Sequence, residues 1–244
     1  MVGEFFIINN DYKVEVISYK NNKEVTIKFE NGFTKVVEKG VLLKGKIKNP
    51  YHPTLYNIGY IGEGKYKSYD NSKKLTKSYV VWADMLKRGY DDNYKQNHPT
   101  YKDVTVCKEW HNFQNFAEWF YNNYNPDIMK GWCLDKDTIS PDCKIYSPET
   151  CCFVPQEINK LFTYGRLNKG LYPIGVNFSK QNRKFASKIK KYNKTFYLGY
   201  FLTPEEAFEK YKEAKEQHIK EVADKWRDLI GDKIYKILIT YKIT

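Results

Sequence analysis

The chain has 244 residues, enough for one large domain or two to three small ones, and it carries a formal net charge of +12. No apolar run approaches the roughly 18 residues that mark a membrane span, and no basic segment followed by an apolar core opens the chain, so neither a span nor a secretion signal is expected. Five cysteines without an export signal point to reduced thiols in a cytosol.

In chain order, the first zone runs to about Pro53 and holds short β-rich runs: Phe5 to Ile8, Lys13 to Tyr19, Glu24 to Glu30 and Thr34 to Glu38. Asn31-Gly32 between the last two is a strong hairpin signal, and the alternation of Val25, Ile27 and Phe29 predicts one buried face. Strands this short and closely spaced predict a small β-barrel of the Src-homology-like kind over residues 1–53. From Asn49 to Lys74 the chain is rich in Pro, Gly, Tyr and Lys without periodicity, and 54–77 is read as a linker.

The middle zone, 78–165, opens with Tyr79, Trp82, Met85, Leu86 and Tyr90 at helical spacing. A second helix is predicted around Asn112 to Tyr121, with Phe113, Phe116, Ala117 and Phe120 on one face. A hairpin-like segment then spans Gly131 to Phe153, and a short helix starts near Pro155.

The third zone, 170–244, reads as three strands and a helix with a C-terminal helical extension. The strands are Ile174 to Phe178, Phe185 to Lys190 and Phe196 to Tyr200. Thr203 is a good N-cap, Pro204 suits the first helical position and Glu206 completes a capping box. Between Leu171 and Phe201 stand seven cations (Lys180, Arg183, Lys184, Lys188, Lys190, Lys191, Lys194) and no carboxylate. Such a stripe draws polyanions. Period-two alternation places Lys184, Ala186, Lys188 and Lys190 on one sheet face, joined by Thr195 and Tyr197. It leaves Phe196, Leu198 and Tyr200 on the apolar face with Phe185, Ser187 and Ile189. The fold class expected for the chain is α+β.

Tyr-Pro-Ile-Gly-Val (172–176), Lys-Phe-Ala-Ser-Lys-Ile (184–189), Tyr-Leu-Gly-Tyr-Phe (197–201) and Thr-Pro-Glu-Glu-Ala (203–207) resemble the DNA-binding domain of ethylene-response factors, the APETALA-two type. The resemblance covers about 45 residues. It implies a three-stranded antiparallel sheet packed on a helix, with double-stranded DNA read in the major groove by the exposed face. Carried over by position, it implicates Asn177, Lys188, Lys190, Lys194 and Tyr197. The neighbouring cations Arg183 and Lys184 are assigned to the same interface on charge. Lysine stands where that family favours arginine, a point charge replacing a bidentate fork, which favours affinity over base discrimination.

The string from Trp82 to Tyr90, with Tyr101, the run Thr105 to Trp110, Phe113 and Phe116, resembles the lead-in of phage-encoded HNH endonucleases, which often carry the sheet domain above. Leu134-Asp-Lys-Asp137 and the run Tyr146 to Pro155 fall where that family places its ββα-metal hairpin. The resemblance puts Asp135 at the metal-binding aspartate, Lys136 where the general-base histidine belongs, and Thr150 at the later asparagine. A lysine near pKa ~10.4 in a cationic cleft is a poor base. The leading expectation is therefore a phage DNA-binding protein, derived from a homing endonuclease and acting without robust cleavage in the bacterial host cytoplasm, with no cofactor needed for binding. One alternative is a nicking or homing enzyme dependent on Mg²⁺ or Mn²⁺, with Asp135 and Asp137 catalytic, Asp135 on the metal, and Glu149 a further carboxylate for a rearranged site. Another is an interaction protein that engages a host protein. The cysteines (Cys107, Cys133, Cys143, Cys151, Cys152) lack zinc-knuckle spacing. His52 reads as a loop residue, His98 and His111 as surface or core residues, and His218 as part of a charged helix.

Overall fold

A computed structural model describes residues 1–9, 12–140, 143–163 and 171–243. The fold is mixed α+β and divides into two compact units, Met1–Ala83 with Lys108–Ala117, and Asp84–Cys107 with Glu118–Thr244.

In the first unit, β1 (Phe5–Ile8), β2 (Tyr12–Asn21), β3 (Glu24–Phe29) and β4 (Thr34–Val37) form an antiparallel sheet in the order β1-β2-β3-β4. Val14, Val16, Val25, Ile27 and Phe29 alternate inward and are buried. Gly32, at φ +86°, makes the β3–β4 turn, with Asn31 Oδ1 accepting from Phe33 N at 3.2 Å. The expected barrel does not close: β1 and β4 are opposite edges, and no ladder joins them among the described residues. The chain after β4 does not supply a fifth strand; it coils into α1 (Lys39–Leu43), and Leu42 and Ile47 complete the core from there.

Beyond the sheet, Gln114 ties down the Gly62–Tyr66 stretch. Its Oε1 accepts from Tyr66 N at 3.0 Å, and its Nε2 donates to Ile61 O at 3.2 Å and Tyr66 O at 2.9 Å. A Cβ on Gly64 would lie 2.3 Å from Gln114 Oε1, so this approach requires glycine. Helix α2 (Lys77–Tyr90) contributes Trp82, whose Nε1 donates to Trp110 O at 2.7 Å while its ring packs on Phe113.

The second unit takes in the C-terminal half of α2, then α3 (Asp92–Asn97), capped by Asp91 Oδ1 on Tyr94 N at 2.9 Å. Strand β5 (Thr105–Val106) follows, and α4 (Phe113–Asn123) crosses from the first unit. Next come β6 (Cys133–Asp135), β7 (Ile145–Tyr146), β8 (Cys152–Val154) and α5 (Gln156–Thr163). β6 pairs antiparallel with β8, and β5 pairs parallel with β7. Phe120 stacks on Tyr124, and Phe153 of β8 meets both rings edge-on.

The C-terminal part holds β9 (Val176–Ser179), β10 (Lys184–Lys191), β11 (Lys194–Phe201), α6 (Pro204–Lys225) and α7 (Gly231–Thr240), with sheet order β11-β10-β9. The capping box forms as the sequence expects, Thr203 Oγ1 accepting from Glu206 N at 3.2 Å. Ala207, Tyr211, Ile219, Val222 and Ala223 are the buried face of α6, and Val176 and Ile189 are buried on the sheet it packs against. Each fully buried Val or Ile here contributes about 1.5–3 kcal/mol.

Candidate nucleic-acid interface

The register of the C-terminal sheet fixes which side chains share a face. On the side away from α6, Ala186 lies between Asn177 and Tyr200, Lys188 lies opposite Tyr197, and Lys190 lies opposite Thr195. The β10–β11 turn is Tyr192-Asn193, with φ +49° and +62°, the doubly left-handed geometry whose twist suits a two-residue hairpin. Lys194 pairs with Lys191 beside it, and Arg183, at φ +50°, stands in the β9–β10 turn next to Lys184.

Strict alternation puts Tyr200 on the apolar face, but the register shifts between Ser187 and Lys188: Ser187 faces Gly199 while Lys188 faces Tyr197, leaving Leu198 as the extra residue of a bulge. Gly199 takes φ +138° there. The bulge reverses the parity of the strand end, so Tyr200 stands on the lysine face, 48% exposed, with Tyr197 at 69%. Ala186, between Asn177 and Tyr200, is only 2% exposed, so the centre of this face is closed by its neighbours.

The face is electrostatically one-sided. No carboxylate pairs with Arg183, Lys184, Lys188 or Lys194 among the described residues, whereas Lys191 is held by Glu221 at 3.2 Å. Asn177 Oδ1 is buried on this face without a hydrogen-bond partner. An unmet buried acceptor costs about 1–3 kcal/mol and is a place where a bound donor gains most.

In the middle region, Asp135 ends β6 opposite Cys152 and is nearly buried. Its Oδ2 accepts from Thr138 N at 2.7 Å and from the Thr138 hydroxyl. Burial raises its carboxyl above the ordinary value, and the Thr138 bonds pull partly back. Lys136, also buried, donates to Asp137 Oδ1 at 2.7 Å and to Cys143 O at 2.8 Å. Thr150 Oγ1 donates to Ile145 O at 2.7 Å and accepts from Ser147 N at 3.0 Å, closing the loop between β7 and β8. Glu149 accepts from Ser147 Oγ at 2.7 Å, which lowers its carboxyl.

Asp135, Lys136 and Asp137 line a cavity of about 280 Å³ together with Tyr101, Asn159 and His98; Glu149 is not among its walls. His98, read from the sequence as a surface or core residue, is exposed and also lines this cavity. It stacks on Tyr94 at 4.1 Å between ring centroids, and its Nδ1 lies 2.9 Å from Tyr94 O. Nothing within His98-Pro99 announces that the chain folds it beside β6. Among the described residues no three His, Cys, Asp or Glu side chains gather as a ligand set for a metal. Cys151 is buried, and burial pushes its thiol up to about 12, the state of an unreactive cysteine.

The raised Asp135 carboxyl has a consequence for stability. The folded chain holds this proton to higher pH than the unfolded chain, so the contribution of Asp135 is most favourable at low pH. It falls as pH rises above the ordinary 3.8, through the raised folded-state value. Asp135→Asn keeps an acceptor for Thr138 and removes the titration. Its advantage over the wild type in urea midpoint is expected to grow across that window, and parallel midpoints at every pH would contradict the assignment.

No family model, curated protein or solved structure matches the chain.

Proposed function

We propose that the chain binds duplex DNA through the exposed face of its C-terminal sheet, as a phage DNA-binding protein descended from an HNH homing endonuclease and acting without robust cleavage. The observation that carries this reading is the cross-strand row of Lys188 with Tyr197 and Lys190 with Thr195, on a three-stranded sheet that contains no carboxylate. A sheet of this size can lie in the major groove, lysines reach phosphates, and exposed tyrosines offer hydrogen-bonding hydroxyls and flat contact area. The resemblance to ethylene-response factors supports the same face. Fluorescence anisotropy of a short labelled duplex tests it: affinity falls steeply with added salt, because each phosphate contact releases counterions. Absent or salt-independent binding would remove the reading.

Restraint from cleavage is supported by how the middle residues are used. Asp135 is committed to Thr138, and Lys136 is buried against Asp137 in place of a free imidazole. The succession β6, β8, α5 supports the ββα likeness of this region. A second reading, a nicking enzyme dependent on Mg²⁺ or Mn²⁺, draws on one observation, the cavity shared by His98, Asp135 and Asp137. Relaxation of supercoiled plasmid separates the two. The leading reading expects none with either metal, and nicking that disappears in Asp135→Ala would establish the second.

A further inference from the structure

Helix α5, the β10–β11 turn and α6 enclose a cleft of about 370 Å³ whose walls include Glu157, Lys160, Lys190, Lys215 and His218. The wall chemistry is lopsided. Three lysines face one carboxylate, and that carboxylate is already engaged: Glu157 Oε2 accepts from Lys225 Nζ at 2.6 Å and from Trp226 Nε1 at 2.8 Å. Lys215 has no carboxylate partner among the described residues. Its burial and the nearby Lys191 ammonium pull it down to about 8. A desolvated ammonium without a counter-charge is costly, and an anion beside it offsets that cost.

His218 is a second, independent observation. It is 5% exposed, and its Nδ1 has only a long contact. The nearest acceptor, Glu221 Oε2, is 3.5 Å away, at the limit where such contacts lose their worth, and Glu221 is itself held by Lys191 at 3.2 Å. The cleft thus presents a lysine without a carboxylate partner beside a buried imidazole that is only weakly held.

We propose that this cleft seats a phosphate group, with Lys215 its main contact and the His218 ring part of its wall. The volume exceeds one phosphate and leaves room for the sugar or second phosphate attached to it. Two sources share this chemistry. One is a backbone phosphate of nucleic acid lying along the sheet, since Lys190 belongs both to the lysine face and to the cleft wall. The other is a free phosphoanion such as a nucleotide. The first source rests on the duplex reading above; the site itself does not.

Inorganic phosphate titrated into the full chain, followed by the histidine ring resonances in NMR, tests the proposal. The His218 signal is expected to move saturably while the other three histidines stay still and report an intact fold. Lys215→Gln is expected to weaken the response about tenfold, the worth of one charge-assisted hydrogen bond, and Lys215→Arg to retain it. A duplex that moves the same signal and competes with phosphate assigns the site to nucleic acid. A duplex that leaves it unmoved while phosphate binds assigns it to a free phosphoanion. An unresponsive His218, or Lys215→Gln binding as the wild type does, overturns the proposal. Lys188→Ala lies outside the cleft, so loss of duplex binding there with phosphate binding intact keeps the two readings apart.

Discussion

Replacing Lys188 and Lys190 together by alanine is expected to lower duplex affinity about 10- to 100-fold at low salt and to flatten its salt dependence by roughly two phosphate contacts, each contributing a slope near 0.9. Both side chains are exposed. Surface substitutions of this kind change stability by only about 0.5 kcal/mol, so the loss belongs to binding and not to unfolding. Salt-titrated anisotropy of the two proteins measures it. Charge alone would make any two lysines equivalent, and Lys28→Ala with Lys35→Ala in the N-terminal sheet supplies that comparison. Equal losses from the two pairs would reduce the interface to nonspecific attraction.

Gly175→Ala is expected to be the most damaging single substitution in the C-terminal unit. Gly175 sits at φ +80°, and a Cβ built there would lie 2.1 Å from Cδ2 of Tyr211. Tyr211 is buried on the inner face of α6, while Gly175 O accepts from Lys188 N at 2.8 Å and so holds the sheet beside it. The clash can be relieved only by moving helix from sheet. Gly32→Ala, also at positive φ but with open space around it, isolates the backbone strain alone, about 1–2 kcal/mol. Gly175→Ala is expected to exceed that, at more than ~3 kcal/mol by urea denaturation, with duplex binding lost alongside. Equal costs at the two glycines would show that α6 yields easily.

Much of the local structure is legible in the sequence because its causes are local. The capping box of Thr203 and Glu206, the Asn31-Gly32 turn and the apolar spacing of Phe113, Phe116 and Phe120 each act within a few residues, and each forms where expected. The C-terminal strands shift by only a residue or two from their expected limits. What the sequence conceals is non-local. The Leu198 bulge that carries Tyr200 across the sheet is set by pairing with β10, and period-two counting assumes an unbroken strand. The barrel fails to close because residues 39–43 coil into a helix that completes the core in place of a fifth strand. The parallel pairing of Thr105 with Ile145, and the meeting of His98 with Asp135, join segments about 40 residues apart with no motif to announce them.

The central claim is that the sheet face, and not positive charge spread over the whole chain, holds nucleic acid. Acetylation of lysines in the full chain with and without a saturating duplex, read by mass spectrometry, tests it most directly. Protection is expected at Lys184, Lys188, Lys190 and Lys194, while the exposed Lys20, Lys28 and Lys35 of the N-terminal sheet react equally in both states. Protection of the N-terminal lysines with the C-terminal four unchanged would contradict the account.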